Sequence, residues 1–171
     1  MKSHFAMFAL YNRWANQRLY AVAEKLSDTD YRANHGAFFG SLHGTLNHLL
    51  LADQIWRRRF TGDGPVHTRL DAILHEQLAP LRAARVAEDE SIIAFVDGLS
   101  EGDLERVFSY MTVVNPQTIT QRYSAALAHF FNHQTHHRGQ AHAPLTAMGG
   151  RDAAPSFDMI IFQRETGVGL D

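Results

Sequence analysis

Five histidines, at positions 129, 133, 136, 137 and 142, fall within HFFNHQTHHRGQAH, a stretch with helical periodicity. Imidazole is a mediocre helix former that titrates near neutrality, so such a density is either scattered surface polarity or a set of ligands aimed at one point. At about 100° per residue, Phe130, Ala141 and Met148 mark a buried face. His133 and His137 flank that face, His129 and His136 lie progressively further round, and His142 points to solvent. Only His133 and His137 combine an inward direction with the i, i+4 spacing that lets two imidazoles share an ion. Two ligands do not make a stable site, and a pair of hydrogen-bonded, partly buried histidines is the competing reading.

A third ligand has to come from elsewhere, and SLHGTLNHLLLADQIW (41–56) offers two histidines. His43 shares a polar stripe with Asn47 and Gln54, which suits an exposed position. His48 lies between leucines at the edge of the apolar face, in line with Thr45, Ala52 and Ile55. Alone it reads as a satisfied core residue. Beside His133 and His137, ligation explains it better, because three inward imidazoles without partners are costly to bury.

Four long amphipathic segments must position these residues. Ser3 is a candidate N-cap for a first helix with Phe5, Phe8, Asn12, Ala15, Leu19, Val22 and Leu26 on one stripe, ending near Ser27-Asp28. Ser41 caps a second, which TGDGP (61–65) stops; a loop with a short helical piece follows. Pro80 suits the first turn of a third, carrying Leu81, Ala84, Ile92, Phe95, Val96 and Leu99. Residues 106–123 are rich in β-branched and aromatic side chains around Asn115-Pro116, which predicts a small hairpin or extended linker. The fourth helix runs through the histidines to the glycines of MGG (148–150), with Pro144 disturbing its last turns. The conformation of the tail, 151–171, is ambiguous. The pattern predicts an all-α fold: one four-helix-bundle domain spanning 1–171, with a metal site in the bundle core.

Composition narrows the chemistry. The chain has 171 residues, of which 45% are hydrophobic, enough for one core. A formal charge of -2 with no long basic run speaks against nucleic-acid binding, and Arg57-Arg58-Arg59 reads as a solvated helix end. With no cysteine, any metal must be held by nitrogen and oxygen. No run has transmembrane or signal-peptide character, so neither a membrane nor secretion is expected and the cytoplasm is the expected location.

YNRWAN (11–16), LNHLLLADQIW (46–56) and NHQTHHRGQ (132–140), in this order, resemble the DinB-like family of damage-inducible and YfiT-type bundle proteins, and FDMIIFQRE (157–165) resembles that family's C-terminal segment. The resemblance implies a four-helix bundle, often a homodimer, that holds a divalent ion, usually nickel or zinc, on three histidines. These roles fall on His48, His133 and His137, with Arg138-Gly139-Gln140 intact behind the last ligand.

Three neutral imidazoles leave a divalent ion with an open position that can activate water or bind an incoming thiol. Three functions stay open: a metal-dependent hydrolase, a transferase using a low-molecular-weight thiol as co-substrate, and a non-catalytic metal-containing binding or stress-response protein. No catalytic residue is singled out, and the small-molecule substrate is undetermined. Asp53, Asn12, Asn16 and Gln140 are the polar groups placed near the core, and Arg13 and Arg138 could flank the mouth for an anionic thiol. Finally, the first and fourth helices carry more apolar surface than one stripe can use, including Leu10, Trp14 and Phe131. This surplus predicts a homodimer, unless the tail folds over it.

Overall fold

The structure, a computed structural model, describes residues 1–170. Its long helices are α1 (Lys2–Ala23), α3 (Leu42–Thr61), α4 (Leu78–Asp97) and α6 (Tyr123–Gly149). Between them lie two short helices, α2 (Asp28–Arg32) and α5 (Glu101–Glu105), and an antiparallel hairpin of β1 (Val107–Met111) and β2 (Thr118–Arg122). The tail forms α7 (Met159–Thr166).

The helix ends follow local chemistry. The Ser41 hydroxyl accepts the Gly44 N–H and caps α3, which stops where Gly62 takes a left-handed φ of 84°. Pro80 sits in the first turn of α4. Ser3 does not cap α1, which begins one residue earlier. The Glu101 carboxylate takes the Lys2 N–H at 2.9 Å and the terminal ammonium at 3.0 Å, placing an acid at the positive end of the helix. The expected helical piece between the second and third long helices is absent. Residues 62–77 run without regular structure, while α2 and α5 form where Ser27 and Ser100 cap single turns.

Each long helix packs on two others. α1 lies against α4 and α6, and α3 against the same two. Cross-helix pairs give the directions. Asn12 and Asn16 meet Asp89 while Glu24 meets Arg82, so α1 and α4 are antiparallel. Asp53 meets Arg85 and Phe60 meets Phe95, so α3 and α4 are parallel. His48 meets His137 while Phe60 meets Tyr123, so α3 and α6 are antiparallel. A parallel neighbour cannot be reached by a tight turn, so residues 62–77 must travel the length of α3 before α4 begins.

Along the bundle, apolar and polar layers alternate. One end holds Phe5, Trp56, Phe60, Ile92, Val96, Tyr123 and Phe130; the other holds Leu19, Tyr20, Leu46, Leu50, Leu81, Ala141 and Leu145. Between them Asn12, Asn16, Asp53, Arg85, Asp89, Gln134 and Arg138 are all buried. Arg85 spans Asp53 at 2.7 Å and Asp89 at 3.0 Å; Asp89 also accepts from Asn12 and Asn16, and Arg138 donates to Asn12 Oδ1. Two guanidiniums face two carboxylates, and burial pushes both carboxyls up against the pull of Arg85.

The tail covers part of the surplus apolar surface. Phe162 is buried against Tyr11 and Trp14, and the Trp14 indole donates to Glu165 at 2.8 Å. Phe131, expected on the surface, stacks between Phe5 and Phe8. His142 does not face open solvent: it is half-buried, its ring 5.7 Å from Phe157.

Removing one partner from a buried ionic layer strands the others, at about 3–5 kcal/mol. Asp53→Ala should lose stability on that scale in urea unfolding, whereas Glu24→Ala, which breaks a solvent-exposed pair, should lose under about 1 kcal/mol. Equal losses would refute the layer's role.

Candidate metal centre

His48 projects from α3 toward α6, where His133 and His137 occupy successive turns. The three residues can place one ring nitrogen each within 4.8 Å of one another. His137 Nε2 lies 3.2 Å from His48 Nε2 and 3.0 Å from His133 Nε2. Two ligands of one tetrahedral ion would stand about 3.3 Å apart.

The outward nitrogens fix the proton positions. His48 Nδ1 is 2.7 Å from the Leu70 carbonyl, which can only accept, so Nδ1 carries the proton. His137 Nδ1 donates to Gln140 Oε1 at 2.7 Å, and Gln140 Nε2 donates in turn to His136 Nε2. In the neutral rings both Nε2 atoms therefore present lone pairs to each other at 3.2 Å. Facing lone pairs repel unless a proton or a metal ion stands between them. Burial first, and the neighbouring imidazoles second, pull the His133 pKa down to about 3. Burial likewise lowers His137 to about 4 and depresses His48. A proton is thus disfavoured at neutral pH, and this donor set fits a divalent cation.

Two loops complete the surround. The 62–77 crossover supplies the Leu70 carbonyl and is itself pinned by Asn47, whose Oδ1 accepts the N–H groups of Leu74 and His75 at 2.9 Å. From the other side Phe39 stacks on the His48 ring at 3.8 Å. That approach depends on Gly44, where a Cβ would stand 2.2 Å from the Phe39 carbonyl oxygen. A cavity of about 290 Å³ reaches His48 and His133 from the hairpin side, walled by Trp56, Arg59, Tyr110 and His129.

His43 is not on an exposed stripe. It is buried, with Nε2 3.2 Å from the His75 carbonyl, because the crossover covers that face of α3. His136 is exposed; it bonds Gln140, and its ring meets that of His137 edge-on at 4.8 Å. Asp53, Asn12 and Asn16 belong to the buried polar layer, as does Arg138. Arg13 pairs with Glu90 on the surface. None of these five lines the cavity. The positions that do, Arg59 and Tyr110, were missed because a basic helix end and a hairpin aromatic carry no distinctive spacing. The Gln140 contact was available in principle as an i, i+3 neighbour of His137. The Leu70 contact was not, since a backbone carbonyl leaves no mark in the sequence.

Among known proteins, the model of the DinB family matches the chain over residues 1–166. No curated protein matches it.

In chelator-treated protein, long-range ¹H–¹⁵N NMR should show His48 and His137 protonated at Nδ1, both with pKa values below the ordinary imidazole value and His137 neutral down toward pH 4. Because the folded-state pKa values are depressed, their stability contribution is present above about pH 6.5 and is lost as pH falls toward 4. A His137 pKa near 6.5 would contradict this electrostatic picture.

Proposed function

We propose a function from the premise that the chain belongs to the DinB family: it is a divalent-metal enzyme whose ion, nickel or zinc, is held by His48, His133 and His137. What supports the ion is the pair of Nε2 lone pairs turned on each other by the Leu70 and Gln140 acceptors. What supports catalysis over a purely structural or storage role is the cavity that reaches His48 and His133, since a structural site is normally closed. A bound divalent ion would supply Lewis acidity, lowering the pKa of a thiol or water at its open position.

The chain's own residues favour the thiol. A hydrolase benefits from a general base beside the attacking water. Among the described residues no Asp or Glu side chain lines this cavity, and the one carboxylate the sequence offered near the core, Asp53, is committed to Arg85, which leaves His129 as the base a hydrolase would have to use. A thiol needs less help, since its pKa is already close to neutral. His129 and Tyr110 face the cavity, while Ile55, Trp56 and Leu70 make much of its wall apolar. The reaction proposed is transfer of a low-molecular-weight thiol to an electrophile, with hydrolysis as the second reading.

Elemental analysis of protein purified without a tag should find one divalent ion per chain, lost in His133→Ala and kept in His136→Ala and His142→Ala. Metal-quantified protein should then consume an electrophile only when a small thiol is added. Retention of metal by His133→Ala would refute the triad, and thiol-independent hydrolysis would shift the class.

We also propose a homodimer. With α7 covering Trp14, a groove of about 590 Å³ is left between α1 and α6, bordered by Met1, Phe8, Phe131 and Met159. Light scattering should give twice the 19.3 kDa chain mass, and a mass of one chain would leave the groove to solvent.

A further inference from the structure

The cavity that reaches the histidines has a neighbour. At Ile55, Arg59, Tyr110, Thr112 and Val113 it adjoins a second, outer cavity of about 530 Å³ beneath residues 65–68. Among the described residues neither wall contains an Asp or Glu, and both contain Arg59, joined in the outer one by Arg58. The described walls therefore carry fixed positive charge and no fixed negative charge.

Arg59 is held unusually for a cation this enclosed. Its guanidinium carbon lies 4.5 Å from the Trp56 ring centre and 4.5 Å from that of Tyr110, and one Nη donates to the Met111 carbonyl at 3.1 Å. No carboxylate among the described residues pairs with it, although Arg57, two residues earlier, holds Glu88 at 2.6 Å. Burial pulls its pKa below the usual arginine value, as expected for a desolvated charge without a counter-ion. The two rings hold the guanidinium between them, and Nε and the other Nη make no hydrogen bond, which leaves charged donors free for an anion.

We propose that Arg59 is the anion-binding residue of this site, taking the carboxylate of a substrate or co-substrate whose reactive end extends along the cavity toward His48 and His133. The assignment depends on the proposed metal centre for what happens to that ligand, but not for its binding. It also gives the hairpin a function, since Tyr110 and Met111 hold the guanidinium in place from β1.

The alternative is that Arg59 only fastens the hairpin to α3, and a matched pair of probes separates the two. Benzoate and benzamide have the same shape and differ in charge. Each is titrated into the full chain, metal-loaded and chelator-treated, following the indole N–H signals of Trp56 and of the remote Trp14. Benzoate should shift the Trp56 signal saturably in both forms, benzamide should not, and Trp14 should stay still. Arg59→Gln should weaken benzoate by about tenfold or more, the loss of a charge-assisted hydrogen bond. Arg59→Lys, which keeps the charge and the ring contacts, should fall between. No saturable benzoate shift, equal shifts from both probes, or unchanged affinity in Arg59→Gln with native Trp56 dispersion would each overturn the proposal. Benzoate binding only to the metal-loaded form would place the anion on the ion, overturning the Arg59 assignment and leaving the metal centre intact. Arg59-dependent binding in a chain that takes up no metal would do the reverse.

Discussion

Charge balance in the middle of the bundle constrains everything around it. Two arginines and two aspartates are sealed between apolar layers, and all four long helices contribute to their hydrogen bonding through Asn12, Asp53, Arg85, Asp89 and Arg138. An apolar layer tolerates small slips of one helix along another; an ionic one does not, because each displaced charge is stranded in a low dielectric. The layer thereby fixes registers. Arg138 follows His137 directly, so the contact that ties Arg138 into the core turns His137 toward α3, about 100° away. On α3, Asp53 plays the same part for His48. The histidines meet because the arginines and aspartates cannot move.

Rotation alone would leave three imidazoles in contact without deciding which nitrogen each presents. For His48 and His137 that decision comes from the Leu70 carbonyl of the crossover and from the Gln140 amide one turn along α6. Both acceptors take the Nδ1 proton and leave Nε2 directed inward. Topology explains why one of them is available. Parallel α3 and α4 force the connecting chain back along α3, so a carbonyl passes the edge of His48, and Asn47 one residue earlier anchors the passing segment. Hinged loops are not needed for this arrangement; one helix supplies both the imidazole and the clamp that holds its orienting partner.

The sequence is most legible where a pattern is local. The Ser41 cap, the Gly62 stop and the hairpin around Asn115-Pro116 each depend on neighbours within a few residues, and each appears as read. The approach of His48 to His133 and His137 was readable because direction on two helices needs only a wheel. What failed to show depends on distant chain. His43 looks exposed on its own helix and is buried by residues that arrive from the crossover. Arg85 and Asp89 have the i, i+4 spacing of a solvated ion pair, and only the placement of α1 and α3 turns them inward. Arg59 looks like a helix-end charge until the hairpin folds over it. The tail's apolar residues were open to two interpretations because a covering helix and a dimer face demand the same composition.

The acceptor for His48 being main chain rather than side chain has a consequence for how this protein can vary. Every residue type carries a carbonyl, so no substitution at position 70 deletes the group that orients the ring, short of one that reshapes the backbone. An insertion or deletion within 62–77 would move it at once. Among descendants of this sequence the crossover should drift freely in composition while its length stays put, so that the trace of its role lies in spacing and not in identity.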